Sequence, residues 1–225
     1  MGFLSAKASN VVNRATGSPK KIEPYLQPGD LKDGFEMRFA ILSPEPLEYF
    51  CVWGETREGR EVKRKPFYFP DEPNQQDILQ ELGDYTQEVN KSGQPKPAAL
   101  QVSFFGFDYF DYSDFEGMEN PEDKDVYPFR KEIHSDNVKL ISLSQGGLIK
   151  ELYKITQQED YEVIQDHDLI ISRSGTGLDT RYSIMPAPRR KGMQQAIDKA
   201  WADAKSNGYD LNQHLVKGNP FGEEL

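Results

Sequence analysis

The sequence has one cysteine, Cys51, in 225 residues. That excludes an internal disulfide and a CxxC metal site, and makes a reducing cytoplasm the expected home. Long apolar runs are also lacking. No stretch approaches the roughly 18 residues of a membrane helix. The opening MGFLSAKASN has no apolar core of the secretion-signal kind. Histidine is scarce: His134, His167 and His214 are the only ones. None sits in a GxSxG or HExxH setting and none neighbours Cys51, so no nucleophile–base pair is readable. Positive charge is in deficit, with a formal net of −10. The deficit is local, because Asp71 to Asp125 holds 14 acids and 3 lysines, a net of −11, and the remainder is close to neutral. An acidic middle of this kind is either a solvated insertion or an arm that competes for a basic face.

What the sequence does have is aromatics, and 24 of the 26 are Phe or Tyr. They fall on alternating runs, the pattern of half-buried strands. Phe35 to Leu42 places Phe35, Met37, Phe39 and Ile41 on one face and Glu36 and Arg38 on the other. Leu47 to Gly54 places Tyr49, Cys51 and Trp53 together. Val62-Lys63-Arg64-Lys65-Pro66-Phe67-Tyr68-Phe69 runs from a basic cluster into aromatics. In the strand from Ala98 to Phe110, a core face of Leu100, Val102 and Phe104 leaves Phe105, Phe107 and Tyr109 on the side of Gln101 and Ser103. Gly106 within it marks a bulge or a close backbone approach. Val138 to Leu143, Asp168 to Arg173 and Thr180 to Met185 read as further strands. Ile78, Leu79 and Leu82 mark a short helix, Leu148 to Ile155 a second, and the stripe Met193, Ala196, Ile197, Ala200, Trp201 and Ala204 a third.

The expected fold is mainly β with helices (α+β): a small Greek-key barrel of the OB-fold type with an inserted helix and a C-terminal helix. Residues 1–27 are expected to be a flexible basic arm, with a short helix near Ala6 to Arg14 and the capacity for self-association. Residues 28–190 form the barrel domain, with acidic insertions near 71–97 and 111–125, and residues 191–225 a helix and an acidic tail.

Three chemistries are open to such residues. Asp160, Asp166, His167 and Asp168, or Asp108 and Asp111, offer carboxylates for a metal-dependent nuclease, though acidic loops commonly serve solubility alone. Ser174-Gly175-Thr176-Gly177 resembles a phosphate-cradling loop but lacks the GK[ST] ending and is short enough for a hairpin turn. Binding of a single nucleic-acid strand needs bases stacked on aromatics beside cations that meet phosphates. Candidates for it are Arg38, Tyr49, Trp53, Lys63, Arg64, Lys65, Phe67, Phe105, Phe107, Tyr109, Arg173, Arg181 and Tyr182. No catalytic residue, metal ligand or cofactor site is assigned. A barrel that binds protein, as in a virion or assembly component, remains an alternative.

In this order the pieces resemble a family of phage-encoded single-stranded DNA-binding proteins with an OB-fold core. The matching segments are Glu36-Met-Arg38-Phe-Ala-Ile-Leu42, the aromatic strand ending in Trp53, Lys65-Pro66-Phe67 and the aromatic strand Gln101 to Tyr109. The closest match is the end: Ile141-Ser-Leu-Ser-Gln145, a helix, Asp168-Leu-Ile-Ile-Ser-Arg173, Gly175-Thr-Gly177, Asp179-Thr-Arg-Tyr182 and Pro186. The family pattern is near YDxxIxRxGxG followed by DTRYxVxP. This chain departs from it at His167, where the family has Tyr, and in lacking a mid-chain Trp. The resemblance implies a non-catalytic, cytoplasmic protein that coats single strands in replication, recombination or repair. It also implies a C-terminal tip, with Phe221, Glu223 and Glu224, that engages replication proteins.

Overall fold

The computed structural model describes residues 25–59, 61–109 and 138–222. Within them one sheet holds β1 (Tyr25–Leu26), β2 (Glu36–Ile41), β3 (Leu47–Glu58), β4 (Glu61–Phe69), β5 (Thr86–Gln87), β6 (Ala99–Asp108), β7 (Val138–Leu143), β8 (His167–Ser174) and β9 (Arg181–Pro188). Four helices accompany it: α1 (Gln75–Leu82), α2 (Gly146–Thr156), α3 (Gln194–Ser206) and α4 (Gln213–Lys217). The expected helix at 6–14 and the acidic stretch 111–125 lie outside the described residues.

The architecture is mixed α+β around one large sheet. Its main path runs β1-β7-β6-β2-β8-β9, and β3 carries β4 and β5 off that path. β6 is the hub. One side pairs with β7 from Val102 to Phe107, and the other pairs first with β3 and then with β2. β2 and β3 thus act as one strand broken by a bulge, where the Leu42 and Ser43 amides both donate to the Phe105 carbonyl. The Ser43 hydroxyl accepts the Phe105 amide at 2.8 Å, so the break leaves no ladder group of Phe105 unpaired. Gly106 lies inside a continuous ladder, opposite Ile41 and Lys139. The glycine adjoins the bulge at Phe105, and what approaches it closely is a side chain rather than backbone, because a Cβ there would collide with Ile141. Among the described residues no ladder joins β9 to β1, so the sheet is open there.

Strand alternation creates two apolar faces, and each takes a helix. Met37, Phe39, Ile41, Phe104, Ile141, Leu169 and Ile171 meet Leu148 and Ile155 of α2. Ala40, Leu42, Phe105, Phe107, Val138 and Leu140 meet Ile197, Ala200 and Ala204 of α3, together with Phe221. A third cluster lies under α1, where Val52 and Phe67 meet Ile78 and Leu82. Asn74 caps α1 in a reciprocal box with Asp77, which fixes where that helix begins.

Gly54 sits beneath α1. A Cβ there would lie 2.7 Å from Phe67, 2.8 Å from Leu82 and 2.9 Å from Tyr85. Gly54→Ala is therefore expected to cost about 1–3 kcal/mol by overpacking, read as a lower urea midpoint. An unchanged midpoint would mean that α1 does not press on this strand.

Candidate nucleic-acid interface

The sequence places Phe105, Phe107 and Tyr109 on a polar, open side of β6. The structure corrects this: their exposures are 1%, 0% and 1%. α3 and Phe221 cover that side, and Phe105 contacts Trp201, Tyr209 and Phe221 at 5.4–5.9 Å between ring centroids. Of the two polar neighbours that made the face look solvated, Gln101 is half-buried and Ser103 is fully buried. Ser103 bonds to Ser142 at 2.8 Å and to the Tyr49 hydroxyl at 3.0 Å. That hydroxyl also meets His214 Nε2 of α4 at 3.0 Å. Tyr49 and Phe67 are consequently core residues rather than exposed stacking platforms. Phe221, read from sequence as part of an exposed tip, is also buried, while Glu223 and Glu224 lie outside the described residues.

His214 is itself buried between Tyr49 and Tyr68, and among the described residues its Nδ1 has no hydrogen-bond partner. Burial pulls its pKa down from 6.5 to about 4. The unfolded chain therefore takes up a proton before the folded one does. Stability is full above pH 6.5 and falls as the pH drops towards 4, by up to about 3 kcal/mol. The melting temperature should decline across that window in wild type, and the decline should flatten in His214→Leu. Equal slopes in the two proteins would contradict the assignment.

The basic run of β4 is divided by the pleat. Arg64 opposes Glu55 on the face of Trp53 and Pro66, whereas Lys63 and Lys65 point to the other face. Arg64 bonds to Glu55 at 2.7 Å and approaches Glu88 at 3.3 Å, so its charge is largely matched. Lys65 lies 5.0 Å over the Phe67 ring. Trp53 remains 45% exposed, enough for one ring face to accept a base.

Arg173 and Tyr182 form a pair on the α2 side of the β8–β9 hairpin. Arg173 donates to the Gly29 and Leu31 carbonyls and lies 5.9 Å over Tyr182, which packs on the core. Arg173 therefore fastens the chain entering β2, and both side chains are half-buried. The adjoining glycine turn already holds an anion of this chain: the Gly175 amide donates to Asp33 at 2.7 Å. Gly175 has a φ of 78°, and a Cβ would strike the Asp179 carbonyl, so the turn demands glycine for its own geometry.

Arg181 projects on the opposite face of the hairpin. Register places Glu36, Arg38, Ile170, Ser172, Arg181, Ser183 and Met185 on one side of β2, β8 and β9. Arg181, Ser183 and Met185 are exposed there. This shelf lies on the sheet face that α3 covers farther along, and Trp53 lies on that same face beyond α4. The C-terminal layer thus divides one face into two open flanks, one cationic and one carrying Trp53.

At the edge of the shelf lies a group that the sequence reading missed. The fully buried Asp168 accepts from Arg38 Nε at 2.9 Å, Arg189 Nη1 at 3.1 Å, the Tyr109 hydroxyl at 2.8 Å and the Arg190 amide at 3.1 Å. Burial and the Asp168 carboxylate together keep the Tyr109 hydroxyl protonated well above its usual range. Arg38 is therefore not simply an outward cation but half of a buried ion pair. The Arg190 guanidinium lies 5.8 Å over the Tyr109 ring. A charged residue in the apolar run Asp168 to Ile171, and the Arg189-Arg190-Lys191 triplet behind Pro188, are the signals that could have shown it. Asp168 therefore serves these donors, and among the described residues no group of three or more His, Cys, Asp or Glu is placed to hold a metal.

No family model, curated protein or solved structure matches the chain.

Proposed function

We propose that the protein binds single-stranded DNA with little sequence preference, as a non-catalytic coat during replication, recombination or repair. The observation that carries this reading is the pair of open flanks on one sheet face. One presents Arg181, the exposed parts of Arg38 and Arg189, and the apolar Ile170 and Met185. The other presents Trp53. Cations that meet phosphates and a ring that takes a base are what a single strand needs. The family-like order of segments from Glu36 to Pro186 adds to it. In this reading the sheet is a partly open barrel of the OB-fold type, and the sharing of β6 by β2, β3 and β7 is the feature in its favour.

Trp53 supplies the test. The other tryptophan, Trp201, is packed against Phe105, so fluorescence changes caused by a strand should come mainly from Trp53. Oligo-dT is expected to quench the emission. Trp53→Ala should remove the quench and weaken binding by about 1–3 kcal/mol. A quench that survives the substitution would contradict the assignment of Trp53 to the interface.

A further inference from the structure

Arg38 and Arg189 meet at one carboxylate. Two guanidinium charges facing one Asp168 leave a positive surplus at a largely buried place. The carbonyls that complete the two arginines, Pro188 to Arg38 Nη2 at 2.8 Å and Gln165 to Arg189 Nη2, accept hydrogen bonds without neutralising charge. Donor capacity is left at Arg38, which among the described residues uses Nε and Nη2 but not Nη1; Arg189 Nε also has no hydrogen-bond partner there, but it is buried and out of a ligand's reach. The two side chains still keep 14% and 17% of their surface, so an anion can reach their outer edges. Guanidinium groups fixed by a carboxylate behind them form a preorganised fork, which suits the oxygens of a phosphate better than a mobile lysine does. Attraction at such a site is strengthened by the reduced local dielectric.

We propose that Arg38 and Arg189, held by Asp168, form a receptor for one phosphate group, and that in the intact function this is a backbone phosphate of the bound strand. The second half of the inference rests on the single-strand reading above. Asp168 is then a positioning residue that touches no ligand. The receptor lies at the edge of the shelf where Arg38 opposes Ile170, so a phosphate seated there places the adjoining nucleotides over Ile170 and Met185.

The full chain is melted in inorganic phosphate and in chloride at equal ionic strength and pH. Phosphate tenfold above its dissociation constant should raise the melting temperature by about 3–6 °C over chloride. The phosphate-minus-chloride difference should shrink in Arg189→Gln to the small part that phosphate's exclusion from protein surfaces gives any protein, and partly return in Arg189→Lys. Comparison within each variant keeps any loss of basal stability out of the result. No difference in wild type, or an equal difference in Arg189→Gln, would overturn the receptor. Oligo-dT titrations of the same proteins separate the sources of phosphate. Weaker binding by Arg189→Gln supports a backbone phosphate. A phosphate shift lost in Arg189→Gln with unchanged oligo-dT affinity assigns the receptor to free phosphate and rejects the backbone form. Wild type that binds oligo-dT without any phosphate shift sinks the receptor and leaves the single-strand reading standing.

Discussion

Asp168→Ala is expected to remove roughly 3–5 kcal/mol of stability, the range for breaking a buried ion pair by deleting one partner. The change strands two guanidinium groups, the Tyr109 hydroxyl and the Arg190 amide, all of which now end on this carboxylate. It also separates elements far apart in sequence, since Arg38 comes from β2, Tyr109 follows β6, and Arg189 and Arg190 follow β9. Asp168→Asn keeps the shape and an acceptor oxygen but not the charge, and should fall between wild type and Ala. Urea denaturation of the three proteins reads the order directly. A loss below about 1 kcal/mol for Asp168→Ala would place the residue among surface ion pairs, and the account of this corner of the sheet would be wrong.

Phe107→Ala should cost about 3–5 kcal/mol, as a fully buried phenylalanine replaced by alanine leaves a cavity. The ring has no exposed surface and packs edge-on to Tyr109 at 5.4 Å. Trp53→Ala, at a ring 45% exposed, should cost much less stability and should lower DNA affinity instead. The two substitutions form a contrast. If Phe107 were a base platform, as the sequence pattern alone implies, its loss would weaken DNA binding while the urea midpoint stayed in place.

That contrast marks where the sequence was legible. Period-two alternation placed Met37, Phe39 and Ile41 in the core correctly, and the stripe from Met193 to Ala204 did form a helix. Alternation separates two faces of a strand but does not say whether one or both are covered. Gln101 and Ser103 made the aromatic face of β6 look wet, although a helix with an apolar stripe must bury it somewhere. Ile197, Ala200 and Ala204 bury theirs on that aromatic face. Lys63, Arg64 and Lys65 read as one cluster because they are consecutive, yet a pleated strand sends neighbours to opposite faces. Asp168 was visible only as one of several acids. Its role depends on Arg38, Tyr109 and Arg189, which chain topology brings together from separations of 21 to 130 residues, and no local pattern encodes such a meeting.

The central claim is single-strand binding through the open flanks. Its most direct test is the anisotropy of labelled oligo-dT, and of a duplex of equal length, titrated with wild type and Arg181→Glu at 50 and 200 mM salt as about the useful range. The account predicts tighter binding of the single strand than of the duplex. It predicts a log–log salt slope of about −0.7 per phosphate neutralised, and a weaker, less salt-sensitive complex for Arg181→Glu. Absence of binding at the lower salt, or equal affinity for the duplex, would contradict it.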